Sequence, residues 1–303
     1  MLLSLLLTLT PTEPTTIEGF YGRQVQAWFL GLIAQADPVL AVELHRSDRI
    51  RPYTVSSLIV PEAGRRGDNG RLHLVPGNEC QIRITSLSTF LSEFILARVV
   101  TRLPQALRLK WSHFKELRLS LETEWDGQTT FEELAECDGK GIDPNVTLEF
   151  ASPTAFRSNG IDLTLPTPDQ VWRSLWWRWN AFAPEELHID PLWPEFAANC
   201  IAVSDFHLRS MRVAFKNGER GAATGCTGFT TYHLLPPKQC GEYAPLREGA
   251  VDVLHTLARF SLYSGVGHHT SIGLGQTRFA PAKVLNNEFR ARFASPESNQ
   301  IPN

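Results

Sequence analysis

One stretch near the C-terminus constrains the chain more than any other: Ser264-Gly265-Val266-Gly267-His268-His269-Thr270-Ser271-Ile272-Gly273-Leu274-Gly275-Gln276-Thr277-Arg278-Phe279. The residues before it, Arg247 to Leu262, place Val251, Val253, Leu254, Leu257, Ala258 and Leu262 near a 3.6-residue period, which predicts a helix. A strand is expected near Thr277 to Phe279, so the glycines lie between a helix and a strand. Gly265, Gly267, Gly273 and Gly275 permit positive φ and close backbone approach, while two His, Thr, Gln and Arg supply donors on the same loop. That combination suits a phosphate. A dinucleotide fingerprint needs the opposite order, strand then glycines then helix. The plainer alternative is that the glycines only turn the chain, for which one or two would suffice.

With 303 residues the chain can form one large domain or two of about 150 residues, each with its own core. A hydrophobic content of 43% with 20% charged residues excludes disordered and fibrous classes. The net charge of −3 does not advertise a polyanion partner, yet basic residues cluster locally. Arg46, Arg49 and Arg51 form one cluster, Arg65, Arg66 and Arg71 a second, and Arg102, Arg108, Lys110, Lys115 and Arg118 a third. Acidic residues gather at Glu122 to Asp143 and Glu185 to Glu195, which leaves room for a positive face. Cys80, Cys137, Cys200, Cys226 and Cys240 show no C-x-x-C pair, which suggests neither a disulfide framework nor zinc and points to a reducing, cytoplasmic setting. The opening run Met1 to Thr10 lacks a basic n-region and a cleavage site and is too short to span a bilayer, so it is read as a buried central strand.

Along the chain, a helical pattern runs from about Gly22 to Arg46, with a restart at Pro38 capped by Asp37. Strands are expected at Tyr53 to Val60, Gln81 to Ser86 and Leu107 to Leu121, with a helix at Thr89 to Thr101 started by Ser88. The glycine-rich stretch Gly64 to Gly77 is expected as a loop. The order β-α-β-β-α-β is that of a ferredoxin-like unit. The second half repeats it: a strand at Asn145 to Phe150, a Trp-rich helix at Val171 to Phe182, strand-like runs at Ile201 to Phe215 and Gly225 to Leu234 joined by a hairpin at Lys216 to Gly221, then the helix and the glycine-rich loop. The fold class is thus α+β, two tandem ferredoxin-like (RRM-like) units packed as one protein. The units are placed at residues 1–120 and 146–285, with 121–145 as linker and 286–303 as tail. The tryptophans of the second-half helix are read as core.

Metal-free cleavage of a phosphodiester needs a base for the attacking hydroxyl, an acid for the leaving oxygen and a cation for the phosphorane charge. His45 falls at the end of the predicted helix, where the macrodipole favours a cationic ring, and is followed by Arg46, Arg49 and Arg51. The other histidines outside the glycine-rich loop, His73, His113, His188, His207, His233 and His255, lack such cationic neighbours and are read as structural. No metal-ligand spacing and no cofactor motif is present.

The run Leu262-Tyr263-Ser264-Gly265-Val266-Gly267, with Gly273-x-Gly275-x-x-Arg278 after it, resembles the C-terminal signature of the Cas6 family, endoribonucleases that process CRISPR precursor RNA. Leu44-His45 with Arg51-Pro52-Tyr53-Thr54-Val55-Ser56, Ser152-Pro153-Thr154-Ala155-Phe156-Arg157, and Gly225-Cys226-Thr227-Gly228-Phe229 resemble further family stretches in the family's order. The resemblance implies two RRM-like units with an RNA cleft between them and makes His45 the catalytic histidine. Many members carry lysine where Arg51 stands, which keeps the charge but not a readily donated proton. Some use a tyrosine on the first helix, where this chain has Trp28, Phe29 and Leu30. Tyr21, Arg173 or Arg178 are candidates to compensate.

The expected function is therefore a metal-independent endoribonuclease that cleaves CRISPR repeat RNA by 2′-hydroxyl attack. His45 and Arg51 are the catalytic candidates. Arg46, Arg49, Gly265, Gly267, His268, His269, Thr270, Gly273, Gly275, Gln276 and Arg278 are the candidate RNA contacts. Expected partners are the precursor RNA and CRISPR effector subunits, no membrane, and a monomeric or homodimeric state. The competing expectation is a protein of the same fold that holds the processed RNA without cutting. A phosphate-ester enzyme built on the glycine-rich loop is a third.

Overall fold

The computed structural model describes residues 1–18, 20–46, 49–60, 71–120, 123–136, 143–158, 160–215 and 221–280. Arg65, Arg66, Cys137, most of the expected hairpin tip and the tail 286–303 lie outside the described residues. The elements in chain order are β1 (Leu2–Pro11), β2 (Thr15–Glu18), α1 (Gly22–Ala36), α2 (Pro38–His45), β3 (Tyr53–Val55), β4 (Arg71–Leu74), β5 (Cys80–Ser86), α3 (Thr89–Phe94), β6 (Ala106–Leu109), β7 (Ser112–Ser120), β8 (Gly127–Thr129) and α4 (Phe131–Ala135). They are followed by β9 (Asn145–Thr154), β10 (Phe156–Ser158), β11 (Ile161–Leu163), α5 (Pro168–Phe182), α6 (Trp193–Cys200), β12 (Ile201–Ala214), β13 (Ala222–Leu234), α7 (Ala250–Ser264) and β14 (Thr277–Phe279).

The two halves share one topology. In the first sheet the strands lie β3-β5-β1-β7-β6, with β8 also paired to β1, and in the second β12-β13-β9-β14. Counting β1, β3, β5, β7 and then β9, β12, β13, β14 by succession, both sheets run second-third-first-fourth, and every one of these pairings is antiparallel. That is the ferredoxin-like order, reached twice.

β1 is buried along its whole length because it has two covered faces. Leu3, Leu5, Leu7 and Leu9 enter the first core with Val25, Phe29, Ile33, Ile82 and Ile84. The alternate face carries Ser4, whose Oγ donates to Trp125 O, and receives α7 from the second half. The second core is aromatic: Trp172 and Trp179 of α5 pack edge-on against Tyr232 and Phe260, with Phe131 of α4 beside them. Within 121–145, expected as a linker, β8 joins the first sheet and α4 packs on α7.

Three departures from the sequence expectations have local causes. The strand expected at Tyr53 to Val60 stops at Val55: Ser56 N still donates to Arg83 O (2.8 Å), but its side-chain Oγ accepts from Arg83 N (2.7 Å), and Ser56 also bridges Gly273 in parallel. The strand expected at Leu107 to Leu121 is a hairpin, turned at Lys110 in the left-handed region (φ 57°), with no glycine to announce it. The helix begun at Ser88 passes after Phe94 into π and 3-10 turns, where Thr101 Oγ1 donates back to Ala97 O (2.9 Å).

Candidate functional site

His45 owes its position to the cap at the other end of its helix. Asp37 Oδ1 accepts from Val39 N and Leu40 N (both 3.0 Å) and Pro38 occupies the first turn, so α2 starts afresh after α1 and ends at His45. The His45 side chain is exposed, as are Arg46 and Arg49. Arg51 Nη2 donates to His45 O (3.1 Å) and its Nη1 to Ser271 Oγ (2.9 Å). One guanidinium thus ties the end of α2 to the glycine-rich loop, whose Ser271 lies 220 residues beyond Arg51 in sequence. Arg51 was expected as a phosphate clamp; two of its donors instead hold protein acceptors, and each terminal nitrogen keeps a second N–H.

The loop itself is wedged between the two halves. Gly22, at the start of α1, lies so close to Ile272 that a Cβ there would sit 1.7 Å from Ile272 O. Gly273 (φ 98°) passes against Ser57 N, where a Cβ would come within 2.6 Å. The glycines therefore do more than turn the chain: they allow a strand-like segment to be threaded against another backbone.

Buried cations hold this wedge. Arg178 of α5 donates to Ser264 O, Gly265 O and Gly267 O (2.8, 3.0 and 2.6 Å). From the other half, Arg83 of β5 donates to Leu262 O, to Gln276 Oε1 (2.7 Å), and through Nε to Ser4 Oγ and Trp125 O (both 2.9 Å). Two arginines from different halves thus meet the negative end of α7. Burial lowers the Arg83 guanidinium to about 9, against the pull of Tyr263 and Asp126, and that of Arg178 to about 10. Both stay charged at neutral pH.

The structure places part of the expected RNA-contact set inside the protein. Gln276 is buried, accepting from Arg83 and donating to Val55 O (3.2 Å). Arg278 is buried and paired with Glu149 (2.5 Å) and Glu124. Thr270, Gly265, Gly273 and Gly275 are buried as well. Their side chains and backbone pack within the protein, because the loop fills the seam that it was expected to line. Gly267 and His268 are partly exposed and His269 is exposed.

Around these last two residues the chain gathers charge from three elements. His268 Nε2 lies 3.5 Å from Asp162 Oδ1 of β11, which also accepts from Arg157 of β10 (2.6 Å). The His268 and His269 rings are 4.3 Å apart, and His269 meets Phe215 edge-on at 5.8 Å. Arg23 of α1 stands over the other part of that cluster, its guanidinium 5.0 Å from the Phe215 ring centre. Burial, then the neighbouring His269, pushes His268 down to about 4, opposed by Asp162. His269, open to solvent on one side, is lowered by the partial burial of its ring and by Arg23, Arg157 and Arg51, with Asp162 again opposing.

The residues considered as substitutes for the missing tyrosine divide differently. Arg178 is buried on the loop carbonyls, and Tyr21 is buried with its hydroxyl 3.5 Å from Ser112 Oγ. Arg173 is exposed on α5. Sequence reasoning missed Arg23, Asp162, Phe215 and Ser271, which carry no motif, and Arg83, whose only signal was a cation inside an apolar strand. Among the described residues no group of three or more His, Cys, Asp or Glu could hold a metal ion, and no helix is long and apolar enough to cross a membrane.

Comparison with known proteins bears on the whole of this arrangement. Thermus thermophilus Cas6 is 23% identical, with 92% of this chain and 98% of that one aligned at a TM-score of 0.65. A Cas6 solved as a product complex is 24% identical over 92% of this chain and 100% of its own, with a TM-score of 0.72. The product of a Cas6-related gene of Pyrococcus furiosus is 12% identical over 93% and 100%, with a TM-score of 0.58. At such identities these likenesses speak for the fold. No curated protein matches the sequence. Two family models do match, the CRISPR Cas6 N-terminal domain over residues 1–93 and the CRISPR-associated endoribonuclease Cas6 over residues 148–277. Two ferredoxin-like sheets in the same order, a helix ending in Leu44-His45 and a glycine-rich loop joined to it therefore belong together: the chain is a member of the Cas6 family of CRISPR-associated endoribonucleases.

Proposed function

We propose that this protein binds CRISPR repeat RNA and cuts the precursor once per repeat without a metal ion. The 2′-oxygen attacks the adjacent phosphorus, the bond to the 5′-oxygen breaks, and the products carry a 2′,3′-cyclic phosphate and a 5′-hydroxyl. The observation that carries this reading is the Arg51 bridge, which sets an exposed histidine at the end of α2 beside the loop that joins the halves. His45 supplies proton transfer, which contributes ~10²–10⁴-fold in such reactions. Arg51 faces the phosphate with its remaining N–H groups, and Arg46, Arg49, Gly267, His268 and His269 contact the RNA. The reading treats residues 1–120 and 146–285 as the two RNA-gripping units. It is supported by the family, and by relatives solved with a product or a substrate mimic.

The test is cleavage of a repeat RNA by purified protein in excess EDTA. Wild type should cut at one position, and both His45→Ala and a single 2′-deoxy nucleotide at that position should abolish cutting while binding persists. Binding without cutting would instead select the RNA-holding role. That role is the one favoured by arginine standing at the lysine place.

A further inference from the structure

The reading above leaves one proton transfer without an owner. His45 can take the proton from the 2′-hydroxyl or give one to the leaving 5′-oxygen, and no tyrosine stands on the first helix to do the other. His269 has the position for it. It is exposed, yet its backbone is in the left-handed region (φ 61°, ψ 25°), which residues other than glycine seldom adopt. The surroundings impose that conformation: His269 O accepts from both Ile272 N (3.0 Å) and Leu274 N (3.3 Å). The ring is then braced against Phe215 and His268.

Arg51 makes the end of α2 and the glycine-rich loop neighbours. Its two terminal nitrogens hold His45 O and, two residues beyond His269, Ser271 Oγ, so those acceptors are no more than roughly 8 Å apart. Arg23 from α1, Arg51 before β3 and Arg157 from β10 act on His269 as nearby positive charges, Asp162 from β11 opposes them, and the His268 ring lies 4.3 Å away. Three guanidiniums around one imidazole make a place for an anion, and they favour the unprotonated ring, which is the form a base needs.

We propose that His269 is the second catalytic histidine of the site, the base that removes the 2′-hydroxyl proton, while His45 is the acid that protonates the departing 5′-oxygen. This rests on the cleavage reading of the preceding subsection. The proton balance is closed: one proton passes from the 2′-oxygen to His269, the 2′-oxygen–phosphorus bond forms, the phosphorus–5′-oxygen bond breaks, and the 5′-oxygen takes a proton from His45. Solvent exchange then restores both rings.

The experiment is single-turnover cleavage by wild type, His45→Ala and His269→Asn at saturating RNA, across pH 5 to 9, with two substrates. Asparagine tolerates the left-handed backbone, so the loop is kept. One substrate is natural; the other carries sulfur in place of the bridging 5′-oxygen, a leaving group that needs no proton. The expected result is a loss of ~10²-fold or more in both variants on natural RNA. Sulfur should restore His45→Ala and leave His269→Asn slow, and His269→Asn should lose the acidic limb of the pH profile. A His269→Asn enzyme that cuts at the wild-type rate once RNA is saturating makes His269 a binding residue and overturns the proposal, as does sulfur rescue of His269→Asn. A wild type that binds RNA and never cuts overturns the cleavage reading itself, a result separable from the others by its first lane.

Discussion

The two halves reach the same strand order with different interiors and different uses of the same connection. The first core is largely aliphatic, built on the leucines of β1, whereas the second rests on Trp172, Trp179, Trp193 and their aromatic partners. In the first half the chain goes from its second helical segment into the β6–β7 hairpin at the molecule's edge. In the second half the equivalent connection, from α7 to β14, is the glycine-rich loop, and it is pressed into the seam between the halves. A shared topology therefore leaves function open; what singles out one connection is that the other half closes over it.

The hardest blow to that arrangement is Arg83→Ala. It leaves the acceptors Leu262 O, Trp125 O and Gln276 Oε1, which face a buried guanidinium, without this donor, and since each unpaired acceptor costs about 1–3 kcal/mol, a loss of at least about 3 kcal/mol is expected in urea unfolding. A loss under about 1 kcal/mol would mean that Arg83 does not join the halves. Acid should follow close behind. The folded-state pKa of His268, about 4, is below the usual 6.5, so the unfolded chain binds the extra proton between these values. Stability from this group is complete above about pH 6.5 and is lost as pH falls toward 4, by up to about 3 kcal/mol. His268→Asn should flatten the dependence of the melting temperature on pH in that window.

Gly22→Ala probes the threading rather than the charge. Its methyl would meet Ile272 O at 1.7 Å, and overpacking of this kind costs about 1–3 kcal/mol. Because the displaced group is backbone three residues from the exposed His269, cleavage should fall more than stability does; equal melting and cutting to wild type would show that the seam yields freely. The smallest effect sharpens the contrast within the aromatic half: Trp177 is 54% exposed on the same helix as Trp179 at 1%. Trp177→Ala should shift stability by no more than about 0.5 kcal/mol, and Trp179→Ala by about 3–5 kcal/mol in the same thermal scan.

Much of this architecture was legible from local pattern. The restart of the helix at Asp37-Pro38, the end of α2 at His45 and the strand at Thr277–Phe279 follow from caps, periodicity and glycine placement, which are properties of neighbouring residues. The short strands β2, β4, β10 and β11 and the helix α6 were not, since each is only a few residues long or is decided by a partner elsewhere. The site was half legible. His45 and the glycine-rich loop stood out by composition, but Arg23, Ser271, Phe215 and Asp162 are ordinary residues until folding collects them.

The sequence by itself determined that the chain is two βαββαβ units with a histidine at one helix end and a glycine-rich connection near the other end of the chain. Only the tertiary structure decided that the connection lies between the units, that Gln276 and Arg278 face inward, and that Arg51 joins His45 to Ser271. The physical reason is range: caps and periodicity act over a few residues, whereas burial of a charge is settled by whichever distant backbone comes to cover it.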